Sequence, residues 1–310
     1  MKNFINLKDI TSVDLRKILK DAKKRKNKRK KLSTLDVDKD QPLKGKLLIQ
    51  MYEKQSSRTR LSFRIAINQL GAGSITIKAS ELHLGKGEES LVDTAKILST
   101  YGDGFLLRTD SDKKIEDFSK NLNIPIINLL SPSSHPCQVL SDIFTVEEIK
   151  KKSISKINIT WIGDSNNVLN SLIAASIKFS FKLNIGCPKK YEPSKSVLNW
   201  AKNNHGKIKI FNDSKQAATG SDVVFTDKVI SMNDKVNKTK KLKDFLKFKV
   251  NKKVMNCAKK NAIFLHCLPR GSEVSNEVFL NHKQSKVWQQ ALNRVYVQKS
   301  ILLYCFDKLR

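Results

Sequence analysis

Two periods of hydrophobic spacing alternate along this chain. Lys46–Tyr52, Gly104–Leu107 and Ile157–Ile162 are short, mostly apolar runs bounded by glycine or polar residues. Such runs suit strands buried on both faces of a parallel sheet. Further strands are expected at Ser74–Ile77, Pro125–Leu129, Leu183–Ile185, Val223–Thr226 and Ile263–Leu265. Between them the period lengthens to that of a helix. Val13, Leu15, Ile18 and Leu19 share one face, as do Phe63, Ala66, Ile67 and Leu70, before Gly71 and Gly73 end that helix. Val139, Leu140, Ile143 and Phe144 form a third face, and Leu169, Leu172, Ile173 and Ile177 a fourth. Strands alternating with amphipathic helices specify an α/β fold with two doubly wound parallel sheets of similar size.

The pattern also divides the chain. A Ser- and Pro-rich stretch, Leu130–Pro136, precedes a helix suited to link two domains, and a second α/β unit starts at Ile157. Domains are expected at 1–145 and 146–286. The final helix, about Val287–Phe306, is long enough to return and complete the first domain as part of 287–310. Lys228–Lys253 is lysine-rich with weak periodicity and reads as a mobile loop with some helix. No fixed-period repeat is present.

Composition narrows the classes. The 310 residues are 39% hydrophobic, without an uncharged apolar run near the ~18 residues that span a bilayer. The N-terminus lacks the apolar core of a signal peptide, and a cytoplasmic location is expected. Five scattered cysteines without a Cys-x-x-Cys spacing suit reduced thiols rather than a disulfide framework. No histidine spacing suggests a structural zinc site. The net charge of +30 attracts anions, and its densest run is Lys23–Lys31. That run sits at a helix C-terminus, where cations are favoured, and lysine is spread over the whole chain. No nucleic-acid module accompanies it, so nucleic acid is not an expected partner.

The candidate chemistry collects at predicted strand ends, where open α/β sheets bind ligands. Ser56-Ser57-Arg58-Thr59-Arg60 lies between a strand and a helix. Unpaired N–H groups, hydroxyls and a forked guanidinium together suit a phosphate; an ordinary capped helix with solvated arginines is the plain alternative. Arg108, His135–Gln138, Gly163–Asn167, Asp227 and His266–Arg270 each follow another strand. Singly, His135 could be a cap, Asn166 and Asn167 a turn, and Cys267 a small core residue. Their joint placement favours one ligand site.

This set resembles the aspartate/ornithine carbamoyltransferase superfamily over nearly the whole chain. Ser56–Arg60 stands for its S-T-R-T-R, His135–Gln138 for H-P-x-Q, Gly163–Asn167 for G-D-x-N-N and His266–Arg270 for H-C-L-P-R, the mark of the ornithine-type branch. Arg294 keeps its place in the late E-N-R motif, where Leu292 replaces the acid. In D-x-W-x-S-M-G, Val229 and Asn233 replace tryptophan and glycine. The resemblance implies transfer of a carbamoyl group from carbamoyl phosphate to the side-chain amine of ornithine, giving citrulline and phosphate in arginine metabolism, with biosynthesis the expected direction. It implies no cofactor or metal. It places Ser56, Ser57, Arg58, Thr59, Arg108, His135, Gln138, Cys267, Leu268 and Arg294 on carbamoyl phosphate. Asn167, Asp227, Ser231 and Met232 would hold ornithine, with Cys267, Arg108, His135 and Asp227 catalytic. His83 matches a residue lent to a neighbouring subunit, within a homotrimer or multiple of trimers; a solvent-exposed histidine is its plain reading. Another acceptor amine (putrescine, N-acylornithine or aspartate) and a nucleic-acid binder are the competing functions.

Overall fold

The computed structural model describes residues 1–78, 89–230 and 237–309. They form two compact units, Met1–Ser141 with Asn293–Arg310, and Asp142–Leu292. In chain order the first half holds α1 (Ser12–Lys28), β1 (Leu47–Tyr52), α2 (Ser57–Gln69), β2 (Gly73–Lys78), α3 (Leu91–Tyr101), β3 (Gly104–Arg108), α4 (Asp112–Asn121) and β4 (Ile126–Leu130). Helix α5 (Pro136–Lys150) is followed by β5 (Asn158–Ile162), α6 (Asn167–Lys178), β6 (Lys182–Gly186), α7 (Lys195–Asn203), β7 (Ile208–Phe211), α8 (Ser214–Ala218) and β8 (Val223–Thr226). The chain ends with α9 (Lys238–Asp244), α10 (Lys252–Met255), β9 (Ile263–His266), α11 (Asn276–Phe279) and α12 (Val287–Cys305).

Both sheets are parallel and doubly wound. Unit one has the order β2-β1-β3-β4, and unit two β7-β6-β5-β8-β9. In each, the chain starts on an inner strand, winds to one edge, then returns to fill the other side. The winding therefore reverses between β1 and β3, and between β5 and β8. Loops leaving the C-terminal ends of those strand pairs diverge and open a crevice.

The cores follow the apolar periods. Phe63, Ala66, Ile67 and Leu70 of α2 are all fully buried. In unit one Met51, Phe105, Leu107, Phe118 and Ile126 pack together, with the Phe105 and Phe118 rings 5.1 Å apart. In unit two Trp161 stacks on Phe225 at 5.6 Å, and its Nε1 donates to the Asp164 carbonyl at 3.1 Å. One side chain thus serves both the core and the turn after β5.

Several expectations change. Val13 is exposed, while Leu15, Ile18 and Leu19 carry the buried face of α1. Strand β7 escaped the sequence reading because lysines interrupt a half-buried edge. The described part of Lys228–Lys253 is folded, not a mobile loop: α9 and a 3-10 turn bury Lys241, Phe245, Phe248 and Val250. Those helices are too short to show a period, and their anchors are two aromatics beyond α9. The basic run Lys23–Lys31 is also not one solvated face. Arg25 and Arg29 point inward to Asp21, Asp38 and Asp40. No described helix is long and apolar enough to cross a membrane.

Trp161→Ala should destabilise unit two by about 3–5 kcal/mol, since it empties a fully buried indole site. Urea denaturation followed by circular dichroism measures this. A loss under about 1 kcal/mol would show that the site collapses around the gap.

Candidate active site

One cluster is built in unit one, at the β1/β3 reversal. Most helices here are capped conventionally: Thr11, Ser90, Ser111, Asn166, Ser194, Asp213, Asn237 and Asn251 each accept a backbone N–H of the helix they precede. Ser56, at the start of α2, makes no such bond. Its Oγ instead accepts from Arg108 NH1 at 3.0 Å. The first turn of α2, the positive end of its dipole, thus lies beside the Arg108 guanidinium. Glu53 steadies this corner. Its backbone N–H donates to the Arg108 carbonyl at 3.0 Å, and its carboxylate receives Thr109 and Lys114 from the loop after β3 and from α4.

Thr59 faces inward from the first turn of α2, and Arg294 NH2 donates to its Oγ1 at 2.8 Å. Arg108, His135, Gln138 and Arg294 are all buried, whereas Ser57 and Arg58 are exposed at the edge of the group. Burial pushes the His135 imidazole well below its usual range, and the Arg294 and Arg108 charges push it further. His135 is therefore neutral near pH 7 and can donate one ring N–H without adding a charge. Burial also lowers Arg108, with Arg294 and Arg58 adding repulsion. Concentrated positive charge in low dielectric is a receptor for an anion.

A second cluster is built in unit two, at the β5/β8 reversal and on β9 beside it. Gly163 opens the turn with φ +150°, and a Cβ there would meet Thr226 Oγ1 at 3.4 Å. Asn166 caps α6 through Oδ1, while its Nδ2 donates to Asp227 Oδ2 at 3.0 Å. Asn167 is the first residue of α6, directly after this cap. Asp227 follows β8, and Cys267 follows β9, directly after the paired residues Thr226 and His266. Burial raises the Asp227 carboxyl, opposed by His266 and by bonds from the Lys228 backbone and Asn166.

Cys267 and Leu268 sit in a tightly closed loop. Leu268, at φ +53°, donates its N–H to His266 Nδ1 at 2.8 Å. That bond leaves the His266 proton on Nε2, directed at Glu273 Oε1 2.9 Å away. Glu273 also accepts from the Gly271 N–H. His266 N donates to Gln290 Oε1 at 3.0 Å, so the loop is held at its base as well.

Tyr52 and Glu273 belong to these clusters and were missed by motif reading. Tyr52 pairs in register with Arg108, and its hydroxyl donates to Gln50 Oε1 at 2.9 Å. Its position at the end of β1 could have flagged it. Glu273 lies outside the recognised pattern, seven residues beyond His266. Val229 is buried in the core of unit two, so its exchange for tryptophan is a packing matter. His83, Ser231, Met232 and Asn233 lie outside the described residues. Among the described residues no group of three His, Cys, Asp or Glu side chains is placed to hold a metal ion.

Parallel doubly wound units, one gathering buried cations at a helix start and the other an acid, a thiol and amides, are the design of a group transferase. Residues 2–148 match the carbamoyl-P binding domain and residues 155–305 the Asp/Orn binding domain of aspartate/ornithine carbamoyltransferases. The chain belongs to the aspartate/ornithine carbamoyltransferase family. It is 38% identical to the ornithine carbamoyltransferase of Agrobacterium fabrum, covering 98% of this chain and 97% of the relative. Identity to the Rhizobium meliloti ornithine carbamoyltransferase is 39%, covering 98% of both. Among solved structures, ornithine carbamoyltransferase from Pyrococcus furiosus superimposes with a TM-score of 0.90 at 35% identity, over 97% of this chain and 96% of that one. The anabolic enzyme of Campylobacter jejuni gives 0.90 at 33%, over 99% and 100%.

The hydrogen bonds from His266 and Gly271 outweigh burial and hold Glu273 below the usual carboxylate range. Its contribution to stability is complete above the unfolded glutamate value, about 4.3, and is lost as pH falls through the lower folded value. The melting temperature of the native chain should therefore drop more steeply below about pH 4.3 than that of Glu273→Gln. Parallel slopes in a calorimetric pH series would contradict this.

Proposed function

We propose that this chain transfers the carbamoyl group of carbamoyl phosphate to the side-chain amine of L-ornithine, forming L-citrulline and phosphate. The observation that carries the reading is the diverted cap of α2. Ser56 and Thr59 are engaged by two buried arginines, which with the helix dipole and a neutral histidine concentrate positive potential at the start of α2. Residues 1–145 with 287–310 are the carbamoyl phosphate-binding part, and 146–286 the ornithine-binding part.

In this reading Ser56, Ser57, Arg58 and Thr59 hold the phosphate, Arg108 bridges it to the carbonyl oxygen, and Arg294 adds positive charge. The ornithine amine attacks the carbamoyl carbon, the C–O bond to phosphate breaks, and the amine loses a proton. Negative charge grows on the carbonyl oxygen in between. His135 donates to that oxygen, and a preset donor of this kind lowers a barrier by about 3 kcal/mol. Gln138 holds the carbamoyl NH2, and the backbone at Leu268 assists. Ornithine must arrive with a neutral amine, although a lysine-like amine has a pKa of about 10.4 in water. The cations of the phosphate half favour that form. Cys267 takes up the proton as its thiolate. Asn167, Asp227, Ser231 and Met232 grip the amino-acid end.

The active form is a homotrimer in which His83 reaches a neighbour's site, and the enzyme works in the cytoplasm in arginine biosynthesis. Support for assembly comes from apolar side chains left exposed in unit one: Leu61, Ile75 on the edge strand β2, and Val92, Ile97 and Tyr101 on α3. Such exposure marks interaction surfaces.

Citrulline formation tests the reading, with putrescine, N-acetylornithine and aspartate run in parallel. Ornithine should be carbamoylated and Arg58→Ala should lose about 100-fold or more in kcat/KM for carbamoyl phosphate. Preference for another amine would move the assignment to a sister reaction. No product with any acceptor would overturn it.

A further inference from the structure

One charged cluster in unit one has no part in the chemistry above. Lys299 on α12 is fully buried, yet it is a lysine. Its Nζ donates to Asp38 Oδ1 at 2.7 Å and to Gln69 Oε1 at 3.1 Å. Asp38 also accepts from Arg25 NH1 and Arg29 NH1, each at 2.9 Å. Arg25 continues to Asp21 at 3.0 Å and Asp40 at 3.2 Å, and Ser300 Oγ donates to Asp21 at 2.6 Å. Three carboxylates balance three cations, drawn from α1, the segment after it, and α12.

Stability alone is a poor reason for such a cluster. Removing charges from water costs several kcal/mol per ion, and well-packed apolar groups often do as well or better. Directed hydrogen bonds supply something apolar contacts do not, namely a defined rotation and register. Arg294 lies five residues before Lys299 on the same helix, about 7.5 Å along its axis. It bonds Thr59 in the first turn of α2, while Lys299 bonds Gln69, the last residue of α2. Helix α12 therefore grips α2 at both ends. The Asp38 N–H donates to the Gln69 carbonyl at 2.7 Å, and Lys26 Nζ bonds Asn293 Oδ1 at 2.7 Å beside Arg294. A helix held at separate points cannot slide or turn without breaking one of them.

We propose that the Asp38–Lys299–Gln69 cluster is a positioning device for the phosphate site, holding α12 in register against α2 so that Arg294 and Thr59 are preset for the incoming anion. Lys299 and Gln69 are positioning residues and touch no ligand. The inference rests on the reading of Thr59 and Arg294 as phosphate-binding residues. Small displacements of such groups are costly, since preset geometry is what lowers the barrier and raises affinity.

The test uses the full chain and inorganic phosphate, titrated calorimetrically, beside steady-state kinetics. Lys299→Met should weaken phosphate binding and raise the KM for carbamoyl phosphate about tenfold, leaving kcat and the KM for ornithine within about twofold. Gln69→Met keeps every charge and removes the Lys299 bond to α2, together with the Gln69 Nε2 bond to the Thr34 carbonyl at 2.9 Å. It should move the same two quantities in the same direction by about threefold with little change in melting temperature, and it decides the matter if Lys299→Met does not fold. Phosphate affinity within about twofold of the native chain in both variants, whatever their melting temperatures, would make the cluster merely structural. Arg58→Ala is the control. If the native chain does not bind phosphate, or Arg58→Ala binds it equally well, the site reading itself falls, and this inference with it.

Discussion

Gathering positive charge in a buried space is unfavourable, and unit one is organised around doing so. Arg108, Arg294 and His135 lie close enough to depress His135, while Arg294 also weighs on Arg108. Like charges brought together need a scaffold that resists their separation. Strand β3 supplies Arg108, the start of α5 supplies His135 and Gln138, and α12 supplies Arg294. Each side chain enters from a strand or helix that is itself packed into a core. The cost of holding these charges together is met by the fold itself.

The second unit shows the same economy with different chemistry. Its reversal point collects amides and a carboxylate in place of guanidinium groups. Trp161 joins the core to the turn through one indole N–H, and Lys241 of α9 reaches Asp164 in that turn at 2.5 Å. The Cys267–Leu268 loop is shaped by His266 and Glu273, which hold the loop from within.

Legibility in the sequence followed the physics of each feature. Long apolar periods were plain, so the inner strands and helices α2, α5 and α6 could be read directly. Motif residues were legible because Ser56–Arg60 and His266–Arg270 are contiguous. Features made by distant partners were hidden. Nothing in Lys23–Lys31 distinguishes Arg25 and Arg29, which turn inward, from the exposed lysines around them, because their acidic partners Asp38 and Asp40 lie beyond the helix. Glu273 was missed for a related reason: its meaning depends on how the loop folds back. Strand β7 and helix α9 were obscured by lysines whose stems or charges are accommodated in the fold.

The closure of unit one by its own C-terminus has a consequence for synthesis. The Lys2 N–H donates to the Cys305 carbonyl at 3.0 Å, Met1 pairs with Asp307, and Lys299 completes a cluster begun by Asp21 and Arg25. On the ribosome, the first unit to begin is thus the last to finish. Residues 142–292 are contiguous and complete while Arg25, Arg29 and Asp38 still await their lysine. A polypeptide that stopped at Leu292 would hold every residue of the second unit and leave the first without Arg294 and Lys299.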